Sequence, residues 1–319
     1  MDYAASALDF LESQSSWRYH RDSAAASEPT AFVALALAAY GRSKASVRAR
    51  DWLVSAQAPD GQVGIRQDES SPGWPTPLAV LAWILSDEAH SPARSGSTAI
   101  TVTTNTVAGA IARGISDISY QESTRRAVDW MLSIAGETSE RQPYTGHDTT
   151  LLGWPWVVGT HSWVEPTAMS VLALRATGHG DHPRTREAVR LLVDRLLTTG
   201  GCNYGNTIVL GQTLLPHVEP TGVTLLALAG EPDSTGRIRQ AVSYLESTLG
   251  PTTTPASLAY GLLGLAAHGR VPSQASVWMA ACTAQSLRRG SSLELALLAL
   301  AALEGDCPLV SLSAVPEAA

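Results

Sequence analysis

The sequence of 319 residues contains little cysteine, little charge and few aromatic side chains. Only 3 residues are cysteine, while 16% are charged and 6% are aromatic. Cys202, Cys282 and Cys307 lie far apart and show no CxxC spacing, which argues against a disulfide framework and against a cysteine-rich zinc site. We therefore expect the three thiols to be reduced.

Long apolar runs and clusters of basic residues are also absent. No run approaches the roughly 20 apolar residues of a membrane-spanning helix, and residues 1–14 lack the basic start of a signal peptide. With 22 basic and 29 acidic side chains the net charge is −7, and no Lys/Arg patch indicates a nucleic-acid partner. We expect a cytoplasmic protein, with peripheral membrane contact and the oligomeric state left open.

Aliphatic residues are abundant and recur in a pattern. Hydrophobic residues make up 45% of the chain, which is enough for a large core. Six times an Ala is followed three residues later by a large apolar residue and then at once by Leu or Met. Positions i, i+3 and i+4 share one helical face, so each copy predicts an amphipathic helix. The copies begin at Ala7, Ala49, Ala127, Ala188, Ala241 and Ala275.

Each copy is followed by a segment that is apolar on almost every side. Pro opens most of these segments and Gly closes many of them, as expected at helix starts and just past helix ends. They cover residues 29–41, 75–86, 166–178, 220–230, 255–269 and 291–305. A helix without a polar face must be covered all round. The alternation therefore predicts an all-α (α/α)6 toroid of six helical hairpins, with the apolar helices inside and the amphipathic helices outside.

We expect one toroid domain over residues 1–305 and a C-terminal tail at 306–319. Unequal loops predict insertions at about 87–122, 136–164 and 200–218, the first with a Ser/Thr/Val-rich centre that is strand-like or poorly ordered. The other two lead into apolar helices, where sites usually lie. Small residues dominate the apolar helices, as at Gly261 and Gly264. Either they allow close helix packing, or they leave room for a ligand.

The amphipathic segments and the loops after them resemble the QW repeats of squalene–hopene cyclases and the related prenyltransferase repeats. Residues 50–57 (RDWLVSAQ) with Asp60 and Gly61 form the best copy, and residues 10–14 (FLESQ) with Trp17 form a second. The helix openings at 27–30 (SEPT), 164–168 (VEPTA) and 218–221 (VEPT) resemble that family's inner-helix openings. The resemblance covers roughly residues 5–304 and implies an isoprenoid-type substrate that is cyclised by alkene protonation.

The sequence departs from this family in two respects. Triterpene cyclases have two such domains and carry an Asp-x-Asp-Asp-Thr-Ala proton donor, whereas residues 163–168 (WVEPTA) keep Thr-Ala and place Glu165 at the middle Asp. A full triterpene cyclase is therefore not expected. Protein prenyltransferases hold zinc with Asp, Cys and His near the same helix starts. Glu, Thr and Pro stand here instead, so we expect no such zinc site.

Three glutamates, Glu28, Glu165 and Glu219, precede Pro at helix starts. A carboxylate there is stabilised by free N–H groups and by the helix dipole, which lowers its pKa, whereas a general acid needs a raised pKa. Capping alone is one interpretation. Glu165 has the most apolar surroundings, so we favour it as the catalytic acid, assisted by Asp148 or Glu219.

Residues 146–163 concentrate three tryptophans and two histidines. Indole faces stabilise carbocations by cation–π attraction, although loop tryptophans also serve as structural plugs. Because all inner helices point the same way, we expect the glutamates and these tryptophans at one mouth of the ring. The candidate substrate-binding residues are Trp74, Trp154, Trp156, Trp163, His161, His217, Asn203, Tyr204 and Glu28.

Metal ligands and nucleophiles are less well supported. His147, Asp148, His161 and His217 show no spacing of a known metal motif. We expect His161 and His217 to orient the glutamates that follow them, and Cys202 to be a turn residue. No metal and no cofactor is therefore predicted.

Together these features predict a single-domain isoprenoid cyclase-like or prenyltransferase-like enzyme that protonates an alkene with Glu165. One alternative is a non-catalytic toroid that binds a hydrophobic ligand or a partner protein through its loops. A metal- or cysteine-dependent enzyme on the same scaffold is the other. An empty apolar cavity facing Glu165 would favour the cyclase.

Overall fold

The computed structural model describes residues 3–88, 118–142 and 144–312, and these residues form thirteen α-helices. In chain order they are α1 (Tyr3–Ser13), α2 (Ser27–Ala39), α3 (Ser43–Ser55), α4 (Thr76–Glu88), α5 (Ile118–Ser133), α6 (Val164–Ala176), α7 (Pro183–Arg195), α8 (Val218–Leu228), α9 (Arg237–Thr248), α10 (Pro255–Ala266), α11 (Ala275–Arg289), α12 (Ser292–Ala301) and α13 (Pro308–Ser311). Within the described ranges, β1 (Ile208–Val209) and β2 (Gln212–Thr213) form the one sheet, a short antiparallel hairpin before α8.

The even-numbered helices from α2 to α12 form a closed ring. Each packs against the next in chain order, and α12 packs against α2. The hydroxyl of Tyr40, just after α2, donates a hydrogen bond to the carbonyl of Ala299 in α12 at 3.0 Å. The odd-numbered helices from α1 to α11 pack against the outside of this ring. The (α/α)6 toroid predicted from the sequence is confirmed.

Burial follows the two sequence patterns. Nearly every residue of α2 is buried, whereas the buried residues of α7, such as Ala188 and Leu192, occupy one face. Helices α2, α6 and α8 begin two residues before the proline that marks them, because the first helical turn leaves N–H groups without helix partners and therefore tolerates proline. Gly41 and Gly178 follow two of the inner helices with φ of 72° and 79°, as expected for helix ends.

Small residues bring α8 and α10 into close contact. A Cβ atom on Gly222 would lie 2.3 Å from the carbonyl oxygen of Tyr260, and one on Gly264 would lie 2.5 Å from that of Gly222. Leucine and alanine side chains fill much of the remaining centre in one continuous hydrophobic cluster. The small residues therefore serve close helix packing rather than an open central cavity.

A threonine fixes each of three inner helices to the loop that precedes it. The hydroxyls of Thr76, Thr167 and Thr221 accept hydrogen bonds from the backbone N–H groups of Val63, Trp154 and Cys202, at 2.8, 2.9 and 2.9 Å. Thr76 and Thr221 also donate to the carbonyls of Gly73 and His217. We call these three residues the threonine clasps. They hold the loops across the N-terminal ends of α4, α6 and α8.

The predicted tail at 306–319 is partly wrong. Cys307, Leu309 and Val310 are buried in the core cluster, so the packed body extends beyond residue 305. Residues 313–319, and most of the predicted insertion at 87–122 with its Ser/Thr/Val-rich centre, lie outside the described residues. In the part of the chain that is described, no helix combines the length and hydropathy needed to cross a bilayer.

Candidate functional site

Three glutamates lie at the N-terminal ends of inner helices, at the same end of the ring. Glu28, Glu165 and Glu219 occupy the first turns of α2, α6 and α8. None of these helices has a side chain capping its first N–H groups. In α4 the corresponding position before the proline is Trp74. The ring geometry thus gathers three carboxyl groups and an indole at one mouth.

Two of the three carboxyl groups have a hydrogen-bond donor. The hydroxyl of Tyr19 donates to Oε2 of Glu28 at 2.7 Å, and that of Ser257 in α10 donates to Oε2 of Glu219 at 3.5 Å. Glu165 makes no side-chain hydrogen bond to any described residue. A donor stabilises the ionised form of a carboxyl group. Glu165 is therefore the member of the cluster with the least support for its negative charge.

Burial raises the pKa of all three glutamates, and neighbouring carboxylates add to the shift at Glu28 and Glu165. Desolvation raises the pKa of Glu28 to about 7, the negative charge of Glu219 adds to this, and the Tyr19 hydrogen bond opposes it. The pKa of Glu165 lies well above its ordinary value through desolvation and through the charges of Glu28 and Glu219. Desolvation also raises the pKa of Glu219. At neutral pH the cluster holds protons that ordinary carboxylates would have lost.

A buried tyrosine faces the same cluster. Tyr260 of α10 is 2% exposed, and its hydroxyl has no hydrogen-bond partner among the residues the structure describes. Burial and the charges of Glu28, Glu165 and Glu219 raise its pKa well above the ordinary value. An unpaired buried hydroxyl carries a desolvation cost of about 1–3 kcal/mol. Tyr260 is thus a neutral donor directed at the acidic site.

Glu28, Glu165 and Tyr260 line one small cavity whose remaining wall is apolar. The other lining residues are Trp74, Leu78, Trp156, Pro166 and Met169. The cavity volume is about 10 Å³, which is room for roughly one water molecule. The cavity in front of Glu165 therefore has the expected apolar lining, but it is too small to hold the expected substrate.

The predicted tryptophans lie in different environments: Trp74 and Trp156 line the cavity at the mouth, whereas Trp154 is a buried structural plug of the loop. Trp74 and Trp156 pack edge to face over the cavity, with ring centroids 4.8 Å apart. Trp154 instead is 2% exposed, donates from Nε1 to the carbonyl of Met131 at 2.9 Å and lies beneath the Arg184 guanidinium. Its assignment to the substrate wall is wrong, because core packing and a satisfied indole N–H fix it away from the cavity. Trp163 is the residue before α6 and does not line the cavity.

The histidines do not orient the glutamates as expected. His161 packs on the ring of Trp163 at 4.7 Å, and His217 packs on that of Tyr204 at 5.2 Å. Neither imidazole has a hydrogen bond to Glu165 or Glu219 in the part of the chain that is described. Both rings therefore contact aromatic side chains instead of carboxyl groups.

Other predicted site residues lie in the loops. Asn203 hydrogen-bonds the Leu215 carbonyl and the Tyr204 amide, which holds the loop before α8 in shape. Asp148 accepts hydrogen bonds from Thr150 and faces Arg141, and these contacts lower its pKa. A lowered pKa favours the ionised carboxylate, and Asp148 does not line the glutamate cavity, so its predicted role as an assisting acid gains no support here.

The cysteine and metal alternatives receive no support from the geometry. Cys202 is fully buried, and desolvation raises the pKa of its thiol to about 11, which makes it a poor nucleophile. Among residues 3–88, 118–142 and 144–312, no group of three or more His, Cys, Asp or Glu side chains is arranged to hold a metal ion.

Three polar residues of the site, Tyr19, Ser257 and Tyr260, were missed from the sequence. Tyr19 lies in the loop before α2, and Tyr260 lies in an inner helix whose apolar composition indicated core alone. The signal for Tyr260 was a phenol on a helix with no polar face, since a buried tyrosine hydroxyl usually needs a partner.

A terpene cyclase, a glycosidase and a xylanase are among the solved structures of similar fold. A variant of a type II terpene cyclase from Scytonema, in complex with geranylgeranyl dihydroxybenzoate, is 14% identical with a TM-score of 0.53, covering 96% of this chain and 97% of that one. A glycosidase in complex with glucose is 11% identical with a TM-score of 0.54, covering 98% and 97%. A xylanase from Teredinibacter turnerae in complex with xylohexaose is 10% identical with a TM-score of 0.52, covering 91% and 83%. These likenesses show a shared α/α toroid. Neither a protein-family model nor a curated protein sequence matches the chain.

Proposed function

We propose that the protein is an acid catalyst of the type II cyclase kind, which protonates an alkene of an isoprenoid-type substrate. The observation that carries this proposal is the cluster of Glu28, Glu165 and Glu219, whose raised pKa values keep protons at one mouth of the ring. Protonating a carbon–carbon double bond requires a carboxylic acid that is still protonated at working pH.

Glu165 is the proposed acid. It combines a pKa well above the ordinary value with a side chain that has no donor to stabilise the anion. Hydrogen bonds from Tyr19 and Ser257 stabilise the anions of Glu28 and Glu219. The negative charges of these two glutamates raise the pKa of Glu165 and keep it protonated. Tyr260 supplies a hydroxyl that is unpaired among the described residues and can donate to the Glu165 carboxylate once its proton has left.

The wall of the small cavity suits a carbocation better than a polar substrate. Trp74 and Trp156 present indole rings beside the acid, and indole faces attract positive charge. The terpene cyclase of similar fold was solved with an isoprenoid-bearing substrate. That likeness supports the scaffold, and the apolar lining with its acidic residues supports the chemistry.

The substrate enters by displacing the two mouth tryptophans. The cavity of about 10 Å³ cannot hold an isoprenoid chain, while Trp74 and Trp156 are only partly buried. Moving them outward would join the cavity to the exterior. Leu210 and Leu215, which are 97% and 78% exposed in the loop before α8, give this end of the ring an apolar edge that would allow peripheral membrane contact.

Glycoside hydrolysis is the second candidate, favoured by the carboxyl cluster itself. Glycosidases use paired carboxyl groups, one protonated and one ionised, and two toroids of similar fold were solved with sugars. Here the pKa is raised at all three glutamates, and the cavity wall beside them is apolar. This combination favours alkene protonation.

The test compares the parent protein with Glu165→Gln on two substrate panels, prenyl diphosphates and squalene-like hydrocarbons on one side and xylo- and gluco-oligosaccharides on the other. We expect cyclised isoprenoid products from the parent, and turnover about two to four orders of magnitude lower in the variant, as loss of a general acid implies. Glu246→Gln, an exposed change on α9, is the matched control and should keep full turnover.

Sugar release that depends on Glu165 would instead establish the glycosidase. Equal isoprenoid turnover in parent and Glu165→Gln would exclude Glu165 as the acid. Tight binding of the hydrocarbons without any product from the parent would establish the non-catalytic alternative.

A further inference from the structure

A second and much larger cleft lies beside the mouth. It has a volume of about 550 Å³, within the range of small-molecule sites. Its walls come from residues 137–139, from residues between 147 and 162, from residues 205–206 and from Arg195 at the end of α7, and it shares no lining residue with the glutamate cavity. The proposed reaction makes no use of this space.

Close backbone contacts hold the cleft open and in shape. A Cβ atom on Gly146 would lie 2.5 Å from the Ile208 side chain, so the two loops interlock at that point. The N–H of Thr207 donates to Nδ1 of His147 at 3.4 Å. Glu137 donates its backbone N–H to the carbonyl of Thr160 at 2.9 Å, which ties the two sides of the first loop together. The cleft is a formed feature rather than a gap between loose loops.

Arg195, at the end of α7, is the buried polar group of this cleft. The residue is 5% exposed, and its Nη1 is shared between the carboxylate of Asp194 and the carbonyl of Asp148. Its Nε has no hydrogen-bond partner within the described part of the chain. The Nε atom is itself buried, whereas the side chain as a whole lines the cleft and offers the several N–H donors of a guanidinium to it.

His147 offers a second unused donor. Desolvation and the charge of Arg195 lower its pKa to about 4, so the imidazole is neutral at physiological pH. Because Nδ1 accepts the N–H of Thr207, the ring proton belongs on Nε2. That N–H makes no hydrogen bond to a described residue and belongs to a side chain that lines the cleft.

The charge balance of the cleft disfavours an anion. The negative charges of Asp194 and Asp148 lie close to Arg195 and offset its positive charge. Glu137 adds a further carboxylate to the wall. The remaining polar lining is a series of hydroxyl groups and one amide, on Thr138, Ser139, Thr149, Thr160, Ser162 and Asn206. Hydroxyls both donate and accept, and such a wall matches ligand groups that do the same.

We propose that this cleft binds an uncharged, hydroxyl-rich small molecule of the saccharide or polyol type. Ligand hydroxyls would accept from the Arg195 guanidinium and from His147 Nε2, and would donate to Glu137 and to the threonine and serine oxygens. The exposed His161 ring, stacked on Trp163, offers a flat face to one side of a sugar ring. This proposal stands without the proposed function, because it uses none of the residues of the glutamate cluster.

The test is isothermal titration of the purified protein with xylotriose and maltotriose as neutral probes and with glucuronate as an anionic probe. Asn206→Ala removes a lining amide that makes no hydrogen bond to a described residue, and Arg195→Lys keeps the charge but loses the planar guanidinium and its set of N–H donors. We expect saturable binding of at least one neutral probe and at least about tenfold weaker binding in each variant, which corresponds to 1.4 kcal/mol. Gln240→Ala, exposed on α9, should bind like the parent.

Glu165→Gln should also bind like the parent, which separates this site from the acid. If Arg195→Lys lowers the melting temperature, its weaker binding does not count as evidence. The binding of the neutral probes by Asn206→Ala then decides the test. Absence of saturable binding of both trisaccharides, unchanged binding in Asn206→Ala, or tighter binding of glucuronate than of the neutral probes would each overturn the proposal.

Discussion

At the scale of single residues, the three glutamates show how helix position and burial compete. A helix N-terminus stabilises a carboxylate and lowers its pKa, but Glu28, Glu165 and Glu219 all have raised pKa values. Desolvation at the crowded mouth is the largest cause in each case. The sequence placed these residues at helix starts, while the sign of the pKa shift depended on neighbours that other helices and loops bring to the mouth.

The raised pKa of Glu28 makes a prediction about stability and pH. Between its ordinary value of 4.5 and its folded value of about 7, the folded protein holds a proton that the unfolded chain has released, so stability falls as pH rises through this window. This difference in pKa corresponds to a stability change of roughly 3–4 kcal/mol. At pH 8 the unfolding midpoint of Glu28→Gln should therefore lie at a higher urea concentration than that of the parent. At pH 4.5 the two midpoints should be nearly equal.

Urea denaturation of the parent and the variant at both pH values checks this. The exposed control Glu246→Gln should differ from the parent by the same amount at pH 4.5 and at pH 8. A parent protein that becomes more stable between pH 5 and 7 relative to Glu28→Gln would contradict the assignment, since it would mean that the folded state favours the Glu28 anion.

At the scale of elements, the threonine clasps explain how loops of unequal length meet inner helices in the same way. In α4, α6 and α8 the threonine that follows the proline accepts a backbone N–H from the preceding loop. The Pro-Thr pair was visible in the sequence as a helix opening. Its contact with residues 13 to 19 positions earlier was not, because hydrogen-bond partners across a loop leave no periodic pattern.

Replacing a clasp threonine by valine should destabilise the fold by about 1–3 kcal/mol, because it leaves a buried N–H without a partner. Thr221→Val removes the acceptor for the Cys202 N–H while keeping the shape of the side chain. Chemical denaturation measures the loss, and Thr252→Val in the exposed loop before α10 is the control. Equal stability of the two variants would show that water replaces the clasp.

At the scale of the whole molecule, the sequence predicted the toroid because six amphipathic and six apolar segments alternate and no other arrangement covers all the apolar faces. It predicted the shared mouth because hairpins orient every inner helix alike. It could not predict that Trp154 is a plug, that Asp148 has a lowered pKa or that the cavity is nearly filled. Those depend on side-chain packing in three dimensions, which periodicity does not encode.

Ring closure is what turns scattered Glu-Pro-Thr segments into one acidic site. Helices α2, α6 and α8 are far apart in the chain, and their first turns meet only because α12 packs against α2. The repulsion that adds to the raised pKa of Glu28 and of Glu165 follows from this meeting. The central claim is therefore that the closed ring holds Glu165 in its protonated form.

A carbon-13 NMR titration of the glutamate carboxyl groups tests this claim most directly, since it needs no substrate. We predict one carboxyl resonance that titrates near pH 7, where the pKa of Glu28 lies, and one that remains protonated at neutral pH and disappears in Glu165→Gln. The Glu28 resonance should still titrate near pH 7 in that variant, because burial and the charge of Glu219 raise its pKa and a protonated Glu165 carries no charge to remove. A parent spectrum in which every glutamate titrates near its ordinary value of 4.5 would contradict the account.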